Sequence, residues 1–241
     1  LRNDQDVTGR GACINKKNGK ADLHSLTVTE PKSLAALNRL IAASEPLVPG
    51  SKRAVLGEGP MHAAMAFVGE QPGDQEDIEG RPFVGPAGQI LNRAFAAAGI
   101  SRKKTYLTNA VKHFKFEERG KRRIHRKPTV GEVKHYRWWL LKELEFVQPT
   151  LIIALGATAA LALANRPISV MKQRGPITFE AGPGYVTVHP SYLLRVPDRA
   201  AKNEAFAAFV EDLRSASSLA ASLAASQSTK VKRHQRSALR D

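Results

Sequence analysis

Short apolar runs alternate along this chain with stretches of helical spacing. Ala63 to Gly69, Thr105 to Val111, Leu151 to Leu155 and Tyr185 to Val188 are continuous apolar segments or nearly so, the pattern of strands buried on both faces. Between them the period changes. Lys32 to Ala43 carries Leu34, Leu37, Leu40 and Ile41 on one helical face. Gly85 to Gly99 predicts a helix stopped by Gly99. Val130 to Val147 predicts an amphipathic helix ended by Pro149, Gly156 to Ala164 a small-residue helix, and Arg199 to Leu213 a last one. Strands alternating with helices predict an α/β fold with a parallel sheet covered on both faces. No internal repeat is present.

The pattern fades at both ends. Residues 1–30 are polar and without period and are expected to form a flexible tail or linker. Residues 31–214 are expected to form one domain, and residues 215–241 a basic, disordered or weakly helical tail. The longest apolar stretch, Leu151 to Ala164, is too short to cross a bilayer and contains Gly156, so no membrane partner is expected. No charged-then-apolar leader opens the sequence. The single cysteine, Cys13, excludes an internal disulfide and any all-cysteine metal site, and fits a reducing bacterial cytoplasm or nucleoid.

Charge changes the picture. The 37 Lys and Arg outnumber the 22 Asp and Glu, for a formal net charge of +15. A body this basic points to nucleic acid or an anionic membrane surface, the alternative being a solubility or composition effect. Candidate chemistry lies where strands end, which is where open α/β sheets place ligands. Glu70 and Asp74 follow the first strand; they could activate water or stabilise a cation, although acidic turns after strands are commonly just solvated. Glu76 and Asp77 extend the acidic run to a possible hard-metal site that the sequence does not distinguish. Phe83, between glycine and proline turns, could stack on a base or fold onto the core. Asn109 ends the second strand, and its amide could read a pyrimidine edge or cap a turn. Phe114 to Pro128 is a charged loop with Lys121, Arg122, Arg123 and Arg126 available to phosphates. His125 lies among these cations, which favour a neutral imidazole able to act as nucleophile or base. After the fourth strand, His189 could donate to an oxyanion and Ser191 could hold a phosphate. Each signal is weak alone; three strand ends aiming polar groups at one edge is a stronger one.

Six blocks in this order resemble the uracil-DNA glycosylase superfamily: Gly-Glu-Gln-Pro-Gly-Asp-Gln-Glu-Asp at 69–77, Gly-Arg-Pro-Phe-Val-Gly-Pro-Ala-Gly at 80–88, Asn-Ala-Val-Lys-His-Phe-Lys-Phe at 109–116, Lys-Arg-Arg-Ile-His at 121–125, Leu-Gly-Ala-Thr-Ala at 155–159 and His-Pro-Ser at 189–191. The resemblance runs from about Val55 to Leu213 and is nearest to the UdgX branch, which the basic histidine loop separates from ordinary iron–sulfur uracil glycosylases. It implies a three-layer αβα sandwich around a parallel four-stranded sheet. It implies cleavage of the glycosidic bond of a flipped deoxyuridine in DNA, single-stranded DNA being the expected partner of a monomeric protein.

Carried over by position, the resemblance implies that Phe83 stacks on uracil, Asn109 bonds its edge and the Gln71 region lines the pocket. His189 would stabilise the departing uracil anion. His125 would attack the sugar C1′ and remain covalently attached, with Glu70 accepting a proton or orienting it and Asp74 as a polar neighbour. Relatives hold a four-iron cluster. Here the matching ligand positions read Ala42, Glu45, His113 and Tyr136, and Cys13 is the only thiol, so a cysteine-ligated cluster and any other metal are expected to be absent. Tyr136, Trp138 and Trp139 are expected to fill the volume it would leave.

Overall fold

The computed structural model describes residues 30–46 and 49–238, with no side chains described beyond residue 229. The tail expected over 1–30 and Cys13 lie, Glu30 apart, outside the described residues. Helix α1 spans Leu34–Ala42, capped by the Ser33 hydroxyl, which accepts from the Ala36 amide at 3.2 Å. Strand β1 (Met65–Gly69) is buried along its whole length. A short helix α2 (Asp74–Glu79) follows, then α3 (Pro86–Ala98), which stops at Gly99 in the left-handed region, φ +71°. Strand β2 is Tyr106–Asn109. The expected charged loop is in fact an antiparallel hairpin, β3 (Phe116–Arg119) and β4 (Arg122–His125), turning through Gly120 at φ +60°.

Helix α4 (Val130–Val147) matches its expected bounds, because a capping box fixes its start. The Thr129 hydroxyl accepts from the Glu132 amide at 3.2 Å, while the Glu132 carboxylate accepts from the Thr129 amide at 2.6 Å. Then come β5 (Leu151–Leu155), α5 (Ala157–Ala164), β6 (Gly175–Phe179), β7 (Gly182–Thr187), α6 (Pro190–Arg195) and α7 (Arg199–Ala238).

The main sheet runs β2-β1-β5-β7-β6. It has five strands where four were expected, and it is not wholly parallel. β2, β1, β5 and β7 pair in parallel, but β6 adds to β7 antiparallel. The hidden strand contains Pro176, which an edge position tolerates because its missing N–H faces no partner.

Alternate residues of the strands divide between two cores. Ala66, Val68, Ile152 and Ala154 face α4 and α5, packing on Tyr136, Leu140, Leu144 and Ala159. Phe67, Ile153 and Leu155 face the other way, against Leu91 and Phe95 of α3 and Phe209 and Leu213 of α7. Helices therefore cover both faces. Tyr136 is buried, and Trp139 packs partly against the core, but Trp138 is 44% exposed and fills no interior volume. Helix α7 also departs from expectation. It continues past Leu213, burying Ala216 and Ala220 and packing Leu219 and Leu223 against α3's side of the core, so the body does not end at 214. No helix of the described residues is long and apolar enough to cross a membrane.

Candidate active site

The parallel strands set their carboxyl ends in register: Gly69 lies beside Asn109, Val68 beside Ala154, and Leu155 beside Thr187. A cavity of about 1020 Å³ opens over that edge. Glu70, Gln71, Asp74, Phe83, Asn109, His125, His189 and Ser191 all line it. Residues separated by over a hundred positions thus converge, Glu70, Asn109, His125 and His189 because each lies at or just beyond a strand end and Phe83 from the loop before α3.

Glu70 leaves β1 and faces β4: its Oε1 lies 3.3 Å from His125 Nε2. Thr158, in the first turn of α5, donates its hydroxyl to the other carboxylate oxygen. Burial opposes ionisation of Glu70. The hydrogen bonds from His125 and Thr158, with the nearby histidine charges, outweigh it and hold the carboxyl below the ordinary carboxylate range. Glu70 is therefore ionised at neutral pH. The partner facing His125 here is this carboxylate, whereas the sequence set only cations around the histidine. Its ring is half exposed and packs 6.2 Å from Phe114.

His189 caps α6. Its Nδ1 accepts from the Ser191 backbone N–H at 3.2 Å and lies 2.8 Å from the Ser191 hydroxyl. A backbone N–H can only donate, so Nδ1 carries no proton and the neutral ring bears its N–H on Nε2. Burial, with the charges of His125 and Arg195, outweighs Glu70 and pushes this imidazole down to about 4. His189 is thus a neutral donor at physiological pH.

Phe83 and Asn109 close over the start of the cavity. A Cβ on Gly69 would collide with Asn109 Oδ1 and fall 2.6 Å from Phe83 Cζ. Only glycine leaves room for both. Gly156, at φ +88°, lets the backbone pass His189, whose Cβ would sit 2.9 Å from an added Cβ.

Other sequence candidates are placed differently from their expected roles. The Gln71 side chain fastens the neck of the hairpin: its Nε2 donates to the carbonyls of Lys115 at 3.0 Å and Arg126 at 3.1 Å, and its Oε1 accepts from the Lys115 amide at 3.2 Å. It leaves only the remainder of Gln71 to the cavity wall. Arg123 was expected on phosphates, but it is largely buried between two carboxylates, Asp74 at 2.5 Å and Asp77 at 2.5 Å. Its guanidinium also lies over Phe114 and Phe116, at 5.4 and 5.1 Å from the ring centroids. Asp74 therefore anchors the hairpin, and the carboxylate beside His125 Nε2 is that of Glu70. Arg126 pairs with Glu117. Lys121 and Arg122 remain exposed at the hairpin tip, where with Lys52 they line a second, smaller groove. Ser191 accepts from Arg195 at 3.1 Å, at the cavity rim.

Thr158 and Arg195 escaped the sequence reading. Thr158 had a signal, in Leu-Gly-Ala-Thr-Ala directly after an apolar strand; Arg195 had none.

The residues at the positions matching cluster ligands do not fit an iron–sulfur cluster. Ala42 offers a methyl, Glu45 a carboxylate, and His113 Nδ1 lies 2.6 Å from the Tyr136 hydroxyl. Burial pushes the His113 imidazole down and the Tyr136 phenol up, so both favour their neutral forms. No group of three or more His, Cys, Asp or Glu among the described residues could hold a metal ion.

Residues 56–214 match the pattern of the uracil DNA glycosylase superfamily. The chain belongs to that superfamily. A relative from Thermotoga maritima, a Type-4 uracil-DNA glycosylase, is 40% identical over 144 residues, covering 58% of this chain and 71% of the relative. One of the same description from Pyrobaculum aerophilum is 34% identical over 161 residues, covering 63% and 79%. A third, from Archaeoglobus fulgidus, is 38% identical over 111 residues, covering 46% and 52%. The superfamily match spans all the strand-end residues described above.

Proposed function

We propose that this protein excises uracil from DNA and captures the exposed sugar on His125, as a cluster-free member of the UdgX-like branch. The observation that carries the proposal is the pairing of His125 Nε2 with the ionised Glu70 inside the strand-end cavity. An ordinary hydrolytic site needs a carboxylate and a water; here the carboxylate has an imidazole within reach, which supports the histidine as nucleophile.

The chemistry follows from the geometry. A flipped deoxyuridine enters the cavity with its base against Phe83, its edge at Asn109 and one oxygen toward His189 Nε2. As the C1′–N1 bond breaks, its electron pair goes to the uracil ring. The N–H on His189 Nε2 donates to the oxygen where that charge collects; being neutral, it loses no proton in advance. The sugar becomes an oxocarbenium-like cation, stabilised by the Glu70 carboxylate. Glu70 accepts the proton from His125 Nε2, and that nitrogen forms the bond to C1′. A nucleophile already in contact with a short-lived cation outcompetes bulk water. Thr158 holds Glu70 in place throughout. Single-stranded DNA is the proposed substrate, with exposed Lys121 and Arg122 on its phosphates.

The test is a denaturing gel of the protein with a labelled uracil-containing single strand. The expected result is a shifted band that survives SDS and heat. His125→Ser should abolish that band and yield alkali-labile abasic product instead. Alkali-labile product from the unmodified protein, with no shifted band, would make water the nucleophile. Neither product would leave a DNA-binding module without turnover.

A further inference from the structure

We propose that Arg102, which lies outside the cavity and just beyond α3, is a positioning residue that holds Phe83 in the conformation that presents its ring to the base. The inference rests on the reading of Phe83 as the base platform.

Phe83 has φ +55°. A bulky residue occupies the left-handed region only where its surroundings over-determine it. Three features do so here. The guanidinium of Arg102 spans two successive carbonyls: Nη2 donates to Pro82 O at 2.8 Å and Nη1 to Phe83 O at 3.2 Å. Nη1 is itself aimed by Asn92 Oδ1 on α3, at 2.9 Å. Gly88 lets α3 back directly onto the Phe83 peptide, since a Cβ there would fall 2.8 Å from Phe83 Cα and nearer still to its carbonyl. The far end of the turn is tied by Glu76, whose two oxygens accept from the Gly85 amide at 2.9 Å and the Gly73 amide at 3.0 Å.

The result is a ring fixed between Gly69 and His189, 6.2 Å from the His189 centroid and tilted by 31°. Rotation of the Phe83 peptide to an ordinary φ would swing the ring off this line. A planar fork can bridge two carbonyls and one amide oxygen together, whereas a single ammonium cannot do so in one plane. Arg102 therefore acts on the base through Phe83, without touching it.

The experiment is single-turnover uracil release from a uracil-containing single strand by the unmodified protein, Phe83→Ala, Arg102→Ala and the double variant. Amide exchange at Val84 and Gly85 is measured alongside. Arg102→Ala should slow release at saturating enzyme by roughly 10- to 100-fold, as expected for a misplaced binding surface. Phe83→Ala should slow it at least as much, and the double variant should be no slower than Phe83→Ala. Exchange at Val84 and Gly85 should quicken in Arg102→Ala. Arg102→Lys keeps the charge but loses the fork, and should resemble the alanine variant; it serves if the alanine variant does not fold. Release at the original rate by Arg102→Ala, or losses that multiply in the double variant, would overturn the proposal. An unaffected Phe83→Ala would overturn the platform reading and this inference together. If the unmodified protein releases no uracil, the activity reading fails separately, and unchanged or quickened exchange decides the clamp by itself.

Discussion

Two side chains at the strand ends owe their protonation states to their surroundings, and both make the site sensitive to acid. The His189 imidazole is pushed from 6.5 to about 4 by burial, so the folded protein binds fewer protons than the unfolded chain between those values. Stability from this group is complete above the unfolded value and declines as pH falls from about 6.5 toward 4. Glu70 has the same sign: its lowered carboxyl favours the folded state at neutral pH, and that contribution is lost as pH falls through its folded value. The expected outcome is a melting temperature that drops between neutral pH and pH 4 more steeply in the unmodified protein than in His189→Gln. Thermal unfolding of both across that range checks it, and parallel curves would contradict the burial argument. Excision by the folded protein should persist lower and fail only as the pH approaches about 4, where His189 itself is protonated, because a proton on Nδ1 breaks the bond from the Ser191 amide that orients the ring. Glu70, Asn109 and His189 were legible as candidates because each directly follows or ends an apolar run. The roles of Gln71 and Arg123 were not, because an amide or guanidinium looks identical in sequence whether it faces a ligand or its own backbone.

The hairpin is the element on which the proposed trapping depends. It hangs from the body by few attachments, since its two strands pair only with each other. Gln71 binds its neck, and Arg123 latches it to Asp74 and Asp77 at the start of α2. Asp77 is fully buried and also accepts from the Ser51 hydroxyl at 3.0 Å and the Lys52 amide at 2.9 Å, so it is a fixed anchor. Removing one partner of such a buried pair costs about 3–5 kcal/mol where the other charge is left stranded. Arg123→Ala should therefore release the hairpin. The expected result is loss of the adduct by at least about tenfold in rate, while abasic product persists, because Glu70 and His189 do not sit on the hairpin. Quantifying adduct and abasic product on one gel checks this; equal loss of both would mean that the latch supports the whole site. The sequence concealed this element. Dense charge erased the alternation that marks a strand, and only Gly120 hinted at a turn. By contrast β5 and α4 were found at their observed bounds, since one is a continuous apolar run and the other begins at a capping box.

At the scale of the whole molecule, α7 determines where the folded body ends. Ala216, Leu219, Ala220 and Leu223 recur at helical spacing and form a stripe. Alanine supplies half of that stripe, so its hydrophobic signal is faint, and the Ser-rich residues between them resemble a solvated tail. Packing reveals the difference. Phe209, Leu213, Ala216 and Ala220 join the core formed by α3 and the sheet, and the Arg214 guanidinium donates to the Ala97 carbonyl at 2.9 Å. After Leu223 every described side chain is exposed. Truncation should therefore act with a threshold. Ending the chain after Leu213 removes two buried alanines and two partly buried leucines, an apolar burial on the order of 3 kcal/mol. For a domain of this size that corresponds to a melting temperature lower by about 10 °C. Ending it after Ala225 removes none of these contacts, and should change the melting temperature by no more than about 1 °C. Comparing the two truncations by thermal unfolding checks the boundary. Equal stability would return residues 215–223 to the tail, whereas a loss confined to the shorter chain makes them the last layer of the sandwich.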